Sequence, residues 1–172
     1  MISEKLAKQI NEQIVKEFYS AYLYLSIESY YTSLNLSGFA NWFRVQAQEE
    51  RDHAMMFIDY LNKVGGKVML GQIDAPKNDF ASIEEALKVS LEHERFVTSS
   101  IYSIVDTAQE ERDHKTSQFL QWFVTEQTEE EANSENNLKK LQLVGNDGKG
   151  ILMLDAELAT RVYAPPAVGQ QA

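Results

Sequence analysis

Apolar residues recur at spacings of three and four along four long segments, the period of a helix face buried against a core. The first segment runs from about Ser3 to Leu34. Asn35 marks a turn, and Ser37 stands where it would cap the second segment, which reaches about Val64 before Gly65 and Gly66 stop it. Residues 67–81, with Gly71 and Pro76, form a connector. Ser82 with Glu85 has the spacing of a capping box and opens the third helix, which continues to about Glu110. Asp113 is the cap expected for the fourth, ending near Gly145, and a shorter fifth helix is expected over about 151–161. Two connections are tight and the middle one is long enough to run the length of a bundle. The expected fold is all-α: a four-helix bundle with one long crossover and a short fifth C-terminal helix. Residues 1–163 form one domain in this reading, and 164–172, with Pro165-Pro166, form an extended tail.

Each of the four stripes is interrupted by a carboxylate. On the first the order is Ile10, Ile14, Glu17, Ala21, Tyr24, and on the second Phe43, Ala47, Glu50, Ala54, Phe57, Leu61. On the third it is Ile83, Leu87, Ser90, Glu94, Val97, Ile101, Val105, and on the fourth Leu120, Phe123, Gln127, Glu130, Ser134, Leu138, Leu141. Glu17 lies roughly 27 Å of helix before the first turn and Glu50 roughly 22 Å after it. Glu94, Gln127 and Glu130 stand in the same relation to the turn near Arg112, so all five share one depth. Carboxylates in a dry core cost several kcal/mol each unless paired. No Lys or Arg lies on these stripes at that depth, so cations from outside are expected to balance the charge.

His53 follows Glu50 by three residues and shares its face. A Glu-x-x-His pair on one helix, with carboxylates from the others, is the ligand pattern of di-metal carboxylate bundles. The motif alone is weak, because Gln48-Glu49-Glu50-Arg51-Asp52-His53 recurs letter for letter as Gln109-Glu110-Glu111-Arg112-Asp113-His114. Depth separates the copies. Glu111 and His114 fall at a turn, about 25 Å from the level of Glu94, and read as a solvated helix end. Tyr24, two turns from Glu17, reads either as a partner of a ligand or as a core aromatic. Trp122 reads as core packing. His93 points about 100° away from Glu94 and reads as surface or interface. Glu49, Glu126, Glu129 and Glu130 form a further acidic set, either a third cation site or a solvated flank.

Composition narrows the chemistry. The 172 residues are 44% apolar, enough for one sizeable core, with only eight Gly and three Pro to break helices. There is no cysteine, so disulfides, thiolate iron–sulfur centres and CxxCH haem attachment are excluded, and a metal must be held by oxygen and imidazole. A net charge of −10 argues against nucleic acid as a partner and suits cations. No apolar run approaches a membrane span, and Met1 to Lys8 reads as a polar helix start, so a cytoplasmic location and no membrane partner are expected.

With these residues in hand, the chain resembles the non-haem ferritins of bacteria and archaea over about Met1 to Arg161. The resemblance is carried by Glu17 with Tyr24, by Glu49 to Ala54, by His93-Glu94, and by Phe119-Leu120-Gln121-Trp122-Phe123 running into Glu126-Gln127-Thr128-Glu129-Glu130-Glu131. It implies a ferritin-like di-iron domain and a ferroxidase centre. Glu17, Glu50, His53 and Gln127 would serve the first iron, and Glu50, Glu94 and Glu130 the second. Glu49, Glu126, Glu129 and Glu130 would form the third site. It further implies oxidation of Fe(II) by dioxygen or hydrogen peroxide, and ferric mineral stored in a homo-oligomeric shell of 24 subunits. Two departures matter. Bacterioferritins carry a haem-ligating Met after the bridging Glu, where this chain has Arg51, so no haem is expected. Animal ferritins place acidic pore residues early on helix four, and Ser117 to Gln121 contains none. A rubrerythrin-like di-iron peroxidase would want another histidine and a four-cysteine iron domain. A DNA-coating mini-ferritin would place its ligands between subunits, often with a basic tail, and Ala164 to Ala172 has no Lys or Arg.

Overall fold

The computed structural model describes residues 2–166. Five helices follow one another: α1 (Glu4–Ser33), α2 (Ser37–Lys63), α3 (Ile83–Glu110), α4 (His114–Val144) and α5 (Gly148–Leu158). α1 packs on α2 and α3 on α4, the two hairpins meet through α1 and α3, and α5 closes one end against α2 and α4. Ser3, Ser82 and Asp113 cap α1, α3 and α4, their side chains accepting from the backbone N–H three residues on. Of the expected capping box only the first half forms: Glu85 accepts not from the N–H of Ser82 but from that of Ala81, one residue before the cap. Asn35 and Arg112 turn the two tight connections with φ of 57° and 55°, the left-handed conformation that ends a helix abruptly.

The crossover runs alongside α1. Asn11 donates to the carbonyl of Lys67 and accepts from the N–H of Met69. Ser26 donates to the carbonyl of Lys77, and the Tyr31 hydroxyl donates to that of Ile83. Between Asn11 and Ser26 the chain rises roughly 22 Å, so a 15-residue connector spans most of the bundle, as its length requires. Pro165 and Pro166 are not in a helix or strand; the rest of the expected tail, 167–172, lies outside the described residues.

The core is divided. One apolar cluster gathers Leu23, Tyr24, Ile27 and Tyr31 with Phe39, Phe43, Leu87, Leu91 and Leu138. A second gathers Leu6, Ile10, Ile14, Phe57, Leu61, Val97, Ile101, Leu120 and Phe123. On every helix the residues between the two clusters are polar and buried: Glu17 and Ser20, Glu50 and His53, Glu94, Gln127 and Glu130.

Two expectations need correction. α5 starts three residues earlier than the apolar pattern suggested, because Asp147 caps it by accepting from the N–H of Gly150. Ser37 does not cap α2: it is the first helical residue, and the N-cap, Leu36, offers no side-chain acceptor. Instead the Asp155 carboxylate of α5 accepts from the N–H groups of Gly38 and Phe39 at 2.8 and 2.9 Å. The aromatics near the first turn pack within the chain. Tyr31 and Phe39 are fully buried and stacked on each other, and Tyr30 and Trp42 lie against the same cluster.

Candidate metal centre

Glu17, Glu50 and His53 offer ligand atoms that all lie within 4.8 Å of one another, on three buried side chains. His53 Nδ1 is 3.5 Å from Glu50 Oε2, and its ring meets Trp122 and Phe123 edge-on, which fixes its plane. Glu17 Oε2 and Glu50 Oε1 are buried without a hydrogen-bond partner. Buried carboxylate oxygens are almost always satisfied, so a pair left open on neighbouring side chains could hold a cation. The donor set of carboxylate oxygens and one imidazole suits iron.

Glu94 and Glu130 complete the buried layer. Glu94 accepts from the Tyr24 hydroxyl and, at 3.1 Å, from Gln127 Nε2. The same amide nitrogen lies 3.3 Å from Thr98 Oγ1. Gln127 is thus held beside Glu94, with its carbonyl oxygen as the donor a metal would take. Glu130 accepts from Gln46 Nε2 at 2.8 Å. Burial pushes every one of these carboxyls upward. Glu94 reaches about 7 despite the bonds from Tyr24 and Gln127. Glu130 reaches about 8 through burial and the charge of Glu94. Glu17 is raised by burial, with the charge of His53 opposing. Glu50 lies well above the usual range, first by burial and then by the charges of Glu94, Glu17 and Glu130. Burial, then Glu94, also lifts the Tyr24 phenol well above its ordinary value.

The outer set is less enclosed. Glu126 Oε1 is 4.0 Å from His53 Nε2, and burial raises its carboxyl, with His53 opposing. Glu129 is exposed, close enough for its charge to act on Glu126. Glu49 does not stand free: Arg161 Nη2 is 2.5 Å from its Oε2. Here the stripe reading is corrected. A cation of the chain does arrive at this depth, from the segment after α5, which no helix stripe contains.

The second copy of the repeated motif is dismantled by its position. Glu111 is the C-cap of α3, Asp113 is the N-cap of α4, and Glu111 and His114 are both exposed. His93 is corrected as well. It is half-buried between α1 and α3, with a ring nitrogen 2.7 Å from Ser20 Oγ, and burial lowers it to about 4. Four supporting residues escaped sequence reasoning: Gln13, Lys16, Gln46 and Ser100. Gln13 donates to Glu17 at 2.8 Å and accepts from Ser100 at 2.6 Å, and Ser100 accepts from Lys16 at 2.5 Å. Gln13 and Gln46 each precede a stripe carboxylate by one helical turn, and that spacing was the signal available.

This geometry has counterparts. A family model for the ferritin-like domain matches residues 7–144. The chain belongs to the ferritin family. It is similar to the bacterial non-heme ferritin of Staphylococcus aureus, 36% identical over 95% of this chain and 98% of that one. It is also similar to a probable bacterial non-heme ferritin-like protein of Haemophilus influenzae, 37% identical over 92% and 96%. Among solved ferritins, an open-pore form from the archaeon Archaeoglobus fulgidus superposes with a TM-score of 0.93 and 46% identity, covering 94% of this chain and all of that one. A humanized archaeal ferritin reaches 0.95 at 45% identity, over 96% of this chain and all of that one.

Proposed function

We propose that this ferritin-family chain oxidises Fe(II) at the buried carboxylate–histidine layer and stores the ferric product inside a closed homo-oligomeric shell. The observation that carries the reading is the open oxygen pair on Glu17 and Glu50, at the centre of four buried carboxylates. Iron is the substrate here. Glu17, Glu50 and His53 would receive one Fe(II) and Glu50, Glu94 and Glu130 the second, with Gln127 as a weak neutral ligand to the first. Glu50 would bridge the two, being the carboxylate one turn from His53 on the central stripe. Two neighbouring Fe(II) ions each give one electron, so dioxygen takes two together with two protons and leaves as hydrogen peroxide, without a free radical. Tyr24 holds Glu94 in place by its hydroxyl. Glu49, Glu126, Glu129 and Glu130 would take a third iron on its way to the mineral.

The test is aerobic addition of Fe(II), followed at the ferric oxo absorbance. Glu50→Ala is expected to slow the fast phase by at least a hundredfold at unchanged helix content. Glu111→Ala with His114→Ala is expected to leave it at the wild-type rate. Fast oxidation surviving in Glu50→Ala removes the assignment, and equal losses in both variants would mean that the wrong copy of the motif had been chosen.

A further inference from the structure

Beyond the expected ligands, one side chain already sits at the outer carboxylates as a cation. Arg161 follows α5, and three contacts stitch its segment to α2. Asn41 Nδ2 donates to the Arg161 carbonyl at 3.0 Å. The Tyr163 hydroxyl donates to Asp52. The Arg161 guanidinium lies over the Trp42 ring, 4.0 Å from its centroid, the stacking a planar cation favours. The footing is rigid, because a Cβ on Gly38 would fall 1.6 Å from the Asp155 carbonyl oxygen, so only glycine lets α5 seat this closely. The side chain itself is incompletely paired for an arginine. Nη2 pairs with Glu49, while Nη1 is buried with no hydrogen-bond partner. A guanidinium usually binds a carboxylate through two parallel bonds, and here half of the fork is idle.

We propose that Arg161 is the resident counter-ion of the outer carboxylates: it stands at the third cation position through Glu49, and a metal ion that takes Glu49 as a ligand competes with the guanidinium and loosens it. The inference rests on reading Glu49, Glu126, Glu129 and Glu130 as an outer cation site. The geometry sets the two cations in competition, since Arg161 already draws on Oε2 of the Glu49 carboxylate and two positive charges beside one carboxylate repel. The charge of Arg161 also reaches further, opposing the upward pull of burial on Glu49, Glu126 and Glu130. Without a metal, it therefore offsets the mutual repulsion of these carboxylates. It also keeps a third metal weakly bound, which suits an ion in transit.

Calorimetric titration of the metal-free, assembled protein with Zn(II), which cannot be oxidised, tests this. In Arg161→Gln the third binding event is expected to tighten by about tenfold, the equivalent of losing a half-buried ion pair, while the first two are unchanged. Arg161→Lys keeps the charge and is expected to stay near wild type. A merely structural arginine would lower the thermal midpoint without tightening anything. In wild type, amide exchange over residues 159–163 is expected to quicken as the third event saturates. An unchanged or weaker third event in Arg161→Gln overturns the proposal, and so does unaltered exchange at 159–163 in wild type. Glu126→Gln separates the layers of the argument: a third event that survives it lies elsewhere, and the outer-site reading then fails along with the role of Arg161.

Discussion

At the scale of single residues, the centre is built from groups that water would keep charged and the core does not. Glu94 at about 7 and Glu130 at about 8 stand above the unfolded value near 4.5. The folded, metal-free protein therefore holds protons that the unfolded chain has released, and between those values its stability falls as pH rises. Metal-free protein is expected to melt at a lower temperature at pH 8 than at pH 6. Glu94→Gln with Glu130→Gln should flatten that slope, because neither amide titrates. A divalent cation should reverse it, releasing protons as it binds, which a weakly buffered titration records. A metal-free midpoint that climbs from pH 6 to pH 8 would contradict the burial argument.

At the scale of elements, helix ends decide more than helix interiors. α2 begins with no side chain of its own to satisfy its first N–H groups, and Asp155 of α5 supplies the acceptor from 116 residues away. A carboxylate at a helix N-terminus also meets the positive end of the helix dipole. Asp155→Ala is expected to cost about 1–2 kcal/mol, read as about 2–4 °C in the melting midpoint for each kcal/mol. Gly38→Ala should cost more, since the added methyl collides with backbone. It should also loosen α5 and the Arg161 segment that follows. Melting curves that superpose on wild type for both variants would mean that α5 is not seated on α2 in solution. Helix ends also explain why an identical six-residue motif is a ligand run in α2 and a turn between α3 and α4. In one copy Glu and His face the divided core, and in the other they flank a left-handed Arg112.

At the scale of the molecule, the apolar surface left over is on the outside of the bundle. Tyr22 and Leu25 on α1, and Met69, Leu70 and Ile73 on the crossover beside it, are exposed, as are Leu152 and Met153 on the free face of α5. The buried face of that helix, Leu154 and Leu158, caps the bundle end. Apolar patches of this kind mark subunit contacts, and closed symmetry is the usual outcome for such assemblies. We expect native mass measurement to give a closed particle, 24 subunits by analogy with the family, and electron microscopy to find mineral inside it after iron loading. Leu70→Glu with Ile73→Glu should shift the mass toward small oligomers while helix content holds. A monomer or dimer across salt concentrations, with iron precipitating outside, would refute storage and leave oxidation standing.

Periodicity alone determined the four long helices, the long crossover and the shared depth of Glu17, Glu50, Glu94, Gln127 and Glu130. All of these follow from rise per residue and from which positions face inward, and both are local. The rejection of the second motif copy came from the same arithmetic. Tertiary structure decided what joins residues far apart in sequence. Gln46 reaches Glu130 across the bundle, Ser100 steadies Gln13, Asp155 caps α2, and Arg161 arrives at Glu49 from beyond the last helix. Each of these bonds depends on how helices are set against one another. No stripe on a single helix records that, because a side chain's spacing fixes the face it lies on and not the partner it meets.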